Sequence, residues 1–414
     1  MADESIPHIC LVTFSRLSEI TYGGIEQFVM YLVPWLRRNG FQVSLLGRGL
    51  ARAKVIDLPD SLDTGAGSTD VAPLRILQLP HLIFRLGLPA IAMLLLLLIV
   101  RVNKTRRITL IHAQDTGYAG LASVLAGKLL NVPVILTSHG VRYETLRHVA
   151  WDIVSQVLLP FEYWLDCYVA RRATFVICIS DWVRNYFRQM GIHSHKLAVI
   201  PSGIDVPRFA RAGEYARAKQ RKNLGLDSEH LAIGFVGRFS AEKNVKSLIE
   251  AFAIVAQKIP HARLVLVGGG PLETSLREQA QRIGIDRKVI FTGPRKDVEN
   301  LLAAFDIFVL PSLVEGLSMS LLEAMASQKA IVASNIPAIR SLVRSGNSAV
   351  LVDPYDISGM SNEITNFCRD EKARAAFGMR AYRDVMPFDV QYMFPRLARI
   401  YNGYGCRRAS LPRL

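Results

Sequence analysis

Short apolar runs recur along this chain, each pair separated by a stretch long enough for one amphipathic helix. His8-Ile9-Cys10-Leu11-Val12-Thr13 is the first run; an amphipathic pattern from Ile25 to Arg38 and a second run, Phe41–Leu46, follow. Ile108–His112, Val134–Thr137, Phe175–Cys178 and Leu197–Ile200 have the length and composition of strands buried on both faces. Strands alternating with helix-length segments predict a doubly wound α/β domain. The pattern then restarts with Ala232–Val236, a helix from about Val245 to Lys258, Leu264–Val267, Val289–Thr292, Ile307–Leu310, Ala330–Ser334 and Ala349–Val352. This predicts two Rossmann-like domains, residues 1–204 and 205–385, and a C-terminal helix in 386–414 that packs back toward the first domain. The polar, basic stretch Pro201 to Glu229 reads as the linker, and Asp57 to Asp70, rich in Asp, Gly and Ser, as a surface loop. Pro395, inside the last helical stretch Val390 to Tyr401, is expected to kink or break it.

One segment departs from this rhythm. Leu86 to Val100 carries no charge and includes five consecutive leucines, with Arg75 and Arg85 before it and Arg101, Lys104, Arg106 and Arg107 after it. It falls short of the roughly 20 apolar residues a spanning helix needs. Strands on either side must also join one sheet, so topology argues against a single crossing of a bilayer. Two readings remain: a helix buried in the first domain, and a helix docked at an anionic membrane surface through its basic flanks. The run of leucines favours the second.

Composition narrows the classes. With 414 residues, 50% hydrophobic and 21% charged, the chain has the makeup of a globular protein with more than one core. The net charge of +15 is spread along it: residues 1–200 hold 20 Lys and Arg against 14 Asp and Glu, and the remainder 30 against 21. Such a balance suits phosphates and anionic lipids. Zinc-finger spacing, basic heptads and aromatic–basic platforms are missing from the sequence, so nucleic acid is not an expected partner. The five cysteines are scattered, as in a cytoplasmic protein with reduced thiols, and no signal peptide is apparent.

Two segments carry candidate chemistry. Pro311 to Ala326 contains Glu315-Gly316-Leu317-Ser318 and, eight residues after Glu315, Glu323; it follows a buried strand and opens a helix, whose first N–H groups point toward an anion. A carboxylate on that helix accepts two hydrogen bonds, as ribose hydroxyls require. The pair also fits two unrelated glutamates, one capping a helix and one solvated. Gly237-Arg238-Phe239-Ser240-Ala241-Glu242-Lys243-Asn244 again follows a strand directly, where ligands bind in open α/β sheets. There the Arg238 fork and the Lys243 ammonium suit phosphate oxygens.

Together with Val267-Gly268-Gly269-Gly270-Pro271, these segments resemble glycosyltransferase family 4, whose GT-B fold sets two Rossmann-like domains across a central cleft. Gly23-Gly24-Ile25-Glu26, Ser138-His139-Gly140 and Ile200-Pro201-Ser202-Gly203-Ile204-Asp205 extend the resemblance to nearly the whole chain. It implies that Arg238 and Lys243 hold the diphosphate of a nucleotide sugar and that Glu323 binds the ribose. Glu315 would contact the transferred sugar. Gly23, Gly24, Gly270, Gly316, Leu317 and Ser318 would line the donor, and His139 would lie near the reacting centre. A satisfied structural histidine is the other reading of His139, and its place in a loop directly after a strand favours the functional one. Asp115, Arg142 and Tyr143 are candidates for the acceptor side, with a helix N-cap the other reading of Asp115. Ser202 and Gly269 depart from the family pattern, where Asn and an acidic residue are common.

The implied activity is retaining transfer of a sugar from a UDP- or GDP-sugar to an acceptor hydroxyl, in glycolipid or surface-polysaccharide assembly. The diphosphate's growing charge would be met by side-chain cations; no Asp-x-Asp loop suggests a metal, and no cofactor is expected. Expected partners are the nucleotide sugar, a sugar or lipid-linked acceptor and an anionic membrane surface, with the protein cytoplasmic and peripheral on the inner face of the plasma membrane. A nicotinamide-dependent oxidoreductase would need Gly-x-Gly-x-x-Gly after the first strand, where Ser15-Arg16-Leu17-Ser18 stands instead. A non-enzymatic scaffold of the same fold is the remaining alternative, against which Arg238, Lys243, Glu315 and Glu323 argue.

Overall fold

The computed structural model describes residues 6–16, 24–48, 75–79, 88–141, 153–212 and 214–404. They form two compact units. The first takes the described residues of 1–143, 153–201 and 391–414, and the second those of 202–390. The Asp57 to Asp70 loop lies outside the described residues.

In the first unit the elements run β1 (His8–Arg16), α1 (Gly24–Arg38), β2 (Gln42–Arg48), β3 (Arg75–Leu79), α2 (Leu88–Thr105), β4 (Leu110–Ala113), α3 (Tyr118–Leu130), β5 (Val134–Ser138), α4 (Ile153–Arg172), β6 (Phe175–Cys178), α5 (Asp181–Gln189) and β7 (Leu197–Val199). The strands form one parallel sheet in the order β3-β2-β1-β4-β5-β6-β7. Leu11 of β1 faces Leu45 on one side and His112 on the other. The central strands are buried on both faces, which explains their unbroken apolar runs. Right-handed crossovers put α1 on one face and α2, α3, α4 and α5 on the other, because the chain first moves one way across the sheet and then the opposite way. Buried Cys10 and Cys178 are free thiols, and desolvation pushes both up to about 12.

The apolar 86–100 segment lies largely in α2. Ile91, Leu95, Ile99 and Val102, spaced for one helical face, are buried in the unit, while Met93 and Leu97 are exposed. The helix therefore contributes to the core through one face only, and the reading of it as wholly buried is not what the structure shows.

The second unit begins with α6 (Val206–Ala210) and α7 (Glu214–Asn223). It continues through β8 (Leu231–Val236), α8 (Val245–Lys258), β9 (Ala262–Val267), α9 (Glu273–Ile283), β10 (Val289–Gly293), α10 (Val298–Ala304), β11 (Ile307–Leu310) and α11 (Met319–Ala326). Then come β12 (Ala330–Ser334), α12 (Pro337–Arg340), β13 (Val350–Val352), α13 (Ile357–Arg369) and α14 (Glu371–Val385). Its six parallel strands are ordered β10-β9-β8-β11-β12-β13. The stretch Pro201 to Glu229 is not a linker. Arg217 donates to the Ala303 and Phe305 carbonyls and to Asp306 Oδ1 at 2.6 Å. Buried Arg221 donates to Asp306 Oδ2 and to the carbonyls of Ala304, Asp227 and His230. Charged side chains hold α7 in place, so its polar composition misled.

The chain re-enters the first unit through α15 (Val390–Gly403). Just before it, the Ile204 and Val390 N–H groups donate to the Phe388 and Ile204 carbonyls, and Val206 N–H donates to Asp389 Oδ2 at 3.0 Å. Phe394 meets the rings of Phe28 and Trp35 of α1, and Tyr401 packs on Phe41 and His112. Met393, Phe394, Leu397 and Tyr401 are buried, each worth about 1.5–3 kcal/mol. The helix runs through Pro395 as one element, so the expected break does not occur; that packing offsets the roughly 3 kcal/mol an interior proline costs.

Candidate functional site

In the second unit three loops meet at the carboxyl ends of β8, β9 and β11, where the strand order reverses. The loop after β8 is laid along the loop after β9. Gly237 N–H donates to the Val267 carbonyl, Phe239 N–H to the Gly269 carbonyl and Leu272 N–H to the Phe239 carbonyl, all at 3.0 Å. Only glycine permits this approach. Gly268 sits at φ 131°, where a Cβ would strike the Gly237 carbonyl, and a Cβ on Gly270 would lie 2.5 Å from the Phe239 carbonyl oxygen. The loop after β11 joins them through Leu313 N–H, which donates to the Glu242 carbonyl at 2.8 Å.

This scaffold brings together residues 72 positions apart. Lys243 Nζ donates to Glu315 Oε1 at 2.7 Å, and the buried Ser312 hydroxyl donates to the same oxygen at 2.8 Å. Glu315 is buried, which strengthens the pairing, and it uses one of the three Lys243 donors. Arg238, on the same loop, is exposed and forms no ion pair among the described residues. Glu323 lies on α11 and is also buried, at 2% exposure. Neither glutamate is solvated and neither caps a helix: the N-cap of α11 is Ser318, whose hydroxyl accepts from Leu321 N–H at 3.4 Å. Gly316, Leu317 and Ser318 form the backbone entry to that helix.

In the first unit β4 and β5 end in two cross-strand polar pairs. The Tyr401 hydroxyl and His112 Nδ1 share a hydrogen bond of 2.6 Å, and His112 Nε2 lies 2.7 Å from Thr137 Oγ1. Two residues further along each strand, His139 Nε2 donates to Gln114 Oε1 at 3.0 Å, which fixes the proton on Nε2. The His139 ring stands edge-on to Phe28, centroids 5.0 Å apart. Burial pushes both imidazoles down to about 3, and at His112 the nearness of His139 adds to the effect. Both rings are neutral at physiological pH.

Residues 216–384 match the family described as Glycosyl transferases group 1, and residues 22–208 match Glycosyltransferase Family 4. The putative glycosyltransferase EpsF of Bacillus subtilis (strain 168) is 30% identical over 303 residues, 70% of this chain and 74% of that protein. The chain belongs to glycosyltransferase family 4. A second relative of this glycosyltransferase, 29% identical over 265 residues, is the UDP-Gal:alpha-D-GlcNAc-diphosphoundecaprenol alpha-1,3-galactosyltransferase of Escherichia coli. That alignment spans 63% of this chain and 66% of the relative. Among solved structures, Anabaena Alr3699/HepE in complex with UDP-glucose superposes with a TM-score of 0.76 at 21% identity, covering 96% of this chain and 99% of that one. With the two parallel sheets, this likeness establishes the GT-B fold.

The residues expected from the sequence are placed as follows in this family 4 glycosyltransferase. Arg238, Lys243, Gly270, Glu315, Gly316, Leu317 and Ser318 lie on the three loops, and Glu323 lies within α11. His139 directly follows β5, and Gly24 is the first residue of α1. Asp115 follows β4 but is not the N-cap of α3; Gly117 is, without a side-chain cap bond. Gly23, Arg142 and Tyr143 lie outside the described residues. Sequence reasoning missed Gln114 and Ser312. Gln114 is fully buried, and among the described residues its amide nitrogen has no hydrogen-bond partner. Its signal was its place two residues after His112, on the same side of the strand. Ser312 is fixed only by its approach to Glu315.

Proposed function

We propose that this glycosyltransferase moves a hexosyl group from a UDP-sugar to a sugar carried on a membrane lipid, with retention of configuration and without a metal ion. The observation that carries the reading is the gathering of Arg238, Lys243 and Glu315 at the switch point of the second sheet, with Glu323 on the helix that follows. As the bond from the anomeric carbon to the diphosphate breaks, negative charge grows on the leaving group. Arg238 and the two remaining donors of Lys243 answer that charge, with Glu315 holding Lys243 in place. Glu323 takes the ribose hydroxyls. The acceptor oxygen attacks from the leaving-group face and its proton passes to the departing phosphate, so no separate general base is required. The neutral His139 and the free amide donor of Gln114 are suited to sugar hydroxyls rather than to phosphate.

The name of the E. coli relative, a transferase from UDP-Gal to a diphosphoundecaprenol-linked sugar, and the UDP-glucose bound by HepE support the choice of uridine and of a lipid-linked acceptor. No helix among the described residues is long and apolar enough to cross a membrane. The proposed location is peripheral, on the inner face of the plasma membrane.

The test is incubation of the purified protein with a panel of UDP- and GDP-sugars and an undecaprenyl-diphosphate-linked amino sugar. The product is read by mass spectrometry and its anomeric coupling by NMR. One UDP-hexose should be consumed, giving an α product from the α donor. A β product overturns retention, consumption of GDP-sugars alone overturns the uridine assignment, and use of soluble sugars only overturns the lipid-linked acceptor.

A further inference from the structure

The outer surface of the helical layer formed by α2, α3 and α4 is unusual in two independent ways. Thirteen large apolar side chains are exposed among the described residues, and seven of them lie on these three helices. Met93 and Leu97 project from α2, Leu125 and Leu129 from α3, and Phe161 and Trp164 from α4; Leu129 is 67% exposed and Leu97 57%. On α4 the rings form a ladder: Phe161 stacks on Trp164 with centroids 5.9 Å apart, and Trp164 on Tyr168 at 5.3 Å. Scattered exposed leucines need no explanation, but a run of them across three adjacent helices does.

The second observation is charge. Neither α2 nor α3 contains an Asp or Glu, and the two carboxylates of α4, Glu162 and Asp166, are buried at 4% and 2% exposure. Every exposed charge on the three helices is therefore a cation: Arg101 and Lys104 on α2, Lys128 on α3, Arg171 and Arg172 on α4. All three helices connect parallel strands and run in the same direction, so these cations, each near a carboxyl terminus, line one edge of the apolar surface. The Arg172 guanidinium lies over the Tyr168 ring, 5.2 Å from its centroid.

We propose that this face docks on an anionic bilayer, the apolar ridges entering the headgroup boundary while the row of Lys and Arg meets lipid phosphates. Exposed apolar side chains in the middle and cations at one edge are what an interfacial surface needs. A second copy of the same face is disfavoured because it offers these cations no exposed carboxylate to meet. Leu95, fully buried, is part of the core and not of this surface. The inference rests on the reading of the acceptor as lipid-linked, yet docking itself requires no acceptor.

Flotation on sucrose gradients tests it, with vesicles of phosphatidylcholine mixed with phosphatidylglycerol against phosphatidylcholine alone. The wild type should float with the anionic vesicles, and less at high salt. Arg101→Gln, Lys104→Gln and Arg172→Gln together should lower partitioning onto anionic vesicles about a hundredfold. Leu97→Ser, Leu129→Ser and Trp164→Ser together should lower it at least about tenfold. Both variant sets should keep the wild-type melting temperature and donor hydrolysis. A wild type that stays with the unbound fraction overturns the docking face, as does either variant set floating like the wild type. A wild type that is dimeric by light scattering and ignores vesicles, with the apolar variant monomeric, assigns the face to a second copy and overturns it too. A protein that floats but glycosylates only soluble sugars sinks the acceptor reading alone; one that uses the lipid-linked acceptor from detergent without floating sinks the docking face alone.

Discussion

In the first sheet the strand order reverses between β1 and β4, in the second between β8 and β11. At the reversal in the second sheet stand an exposed arginine, a lysine bonded to a buried glutamate and a second buried glutamate. The corresponding end of the first sheet carries hydrogen-bonded groups without charge: His112 with Thr137 and Tyr401, and His139 with Gln114. One plan of backbone thus serves two chemistries. In the proposed function the cations meet phosphate, and the half-buried Lys243 is held by the buried Glu315. Hydroxyl recognition needs donors and acceptors of fixed direction, and burial keeps the imidazoles neutral enough to supply both.

The largest effect expected from this contrast is on turnover. Lys243→Ala and Arg238→Ala should each lower kcat by about 10²–10³, the usual consequence of removing a group that meets developing charge. Steady-state kinetics with the donor at saturation reads it. Near-normal kcat in both variants would remove phosphate from the second unit.

Nucleotide affinity comes next. Glu323→Gln keeps the shape and removes the charge, and should weaken UDP binding by roughly 1–3 kcal/mol in calorimetry. An unchanged affinity would leave Glu323 a structural role on α11.

The neutral rings make a smaller prediction about stability. Both bind a proton more readily unfolded than folded, because burial depresses their folded pKa to about 3. Stability is therefore level above the ordinary histidine pKa and falls as the pH drops from there toward about 3. Between about pH 7 and pH 6 the loss should be about 1 kcal/mol, read from the urea midpoint, and His112→Gln should reduce it. A midpoint that rises on acidification would contradict the assignment of neutral imidazoles. The smallest effect is none: if side-chain cations suffice, EDTA leaves transfer unchanged, and a loss restored by magnesium would overturn the metal-free proposal.

Much of the architecture was legible because buried parallel strands write themselves as apolar runs. Phe175–Cys178, Ile307–Leu310 and the helix Val245–Lys258 agree with the structure residue for residue. β3 was not seen, since Arg75–Leu79 is an edge strand of five residues with little to mark it. α7 was read as linker because it docks through Arg217 and Arg221 onto carbonyls, a mode that composition does not reveal. Pro395 followed a local rule that tertiary packing overrides. The candidate site shows the same division. Arg238, Lys243, Glu315 and Glu323 each follow a strand that sequence could find, whereas the Lys243–Glu315 bond and the hold of Gln114 on His139 join separate segments. Their geometry exists only once the sheets have formed.

The place of α15 sets an order of assembly during synthesis. Phe28 and His112 are made early, yet their neighbours Phe394 and Tyr401 follow after the whole of residues 202–390. On the ribosome the second unit is complete before the first can be. Until α15 emerges, the surface of α1 and the end of β4 lack the helix that covers them. The older half of the nascent chain is thus the one that waits, and it is the half more open to chaperones and proteases during that interval.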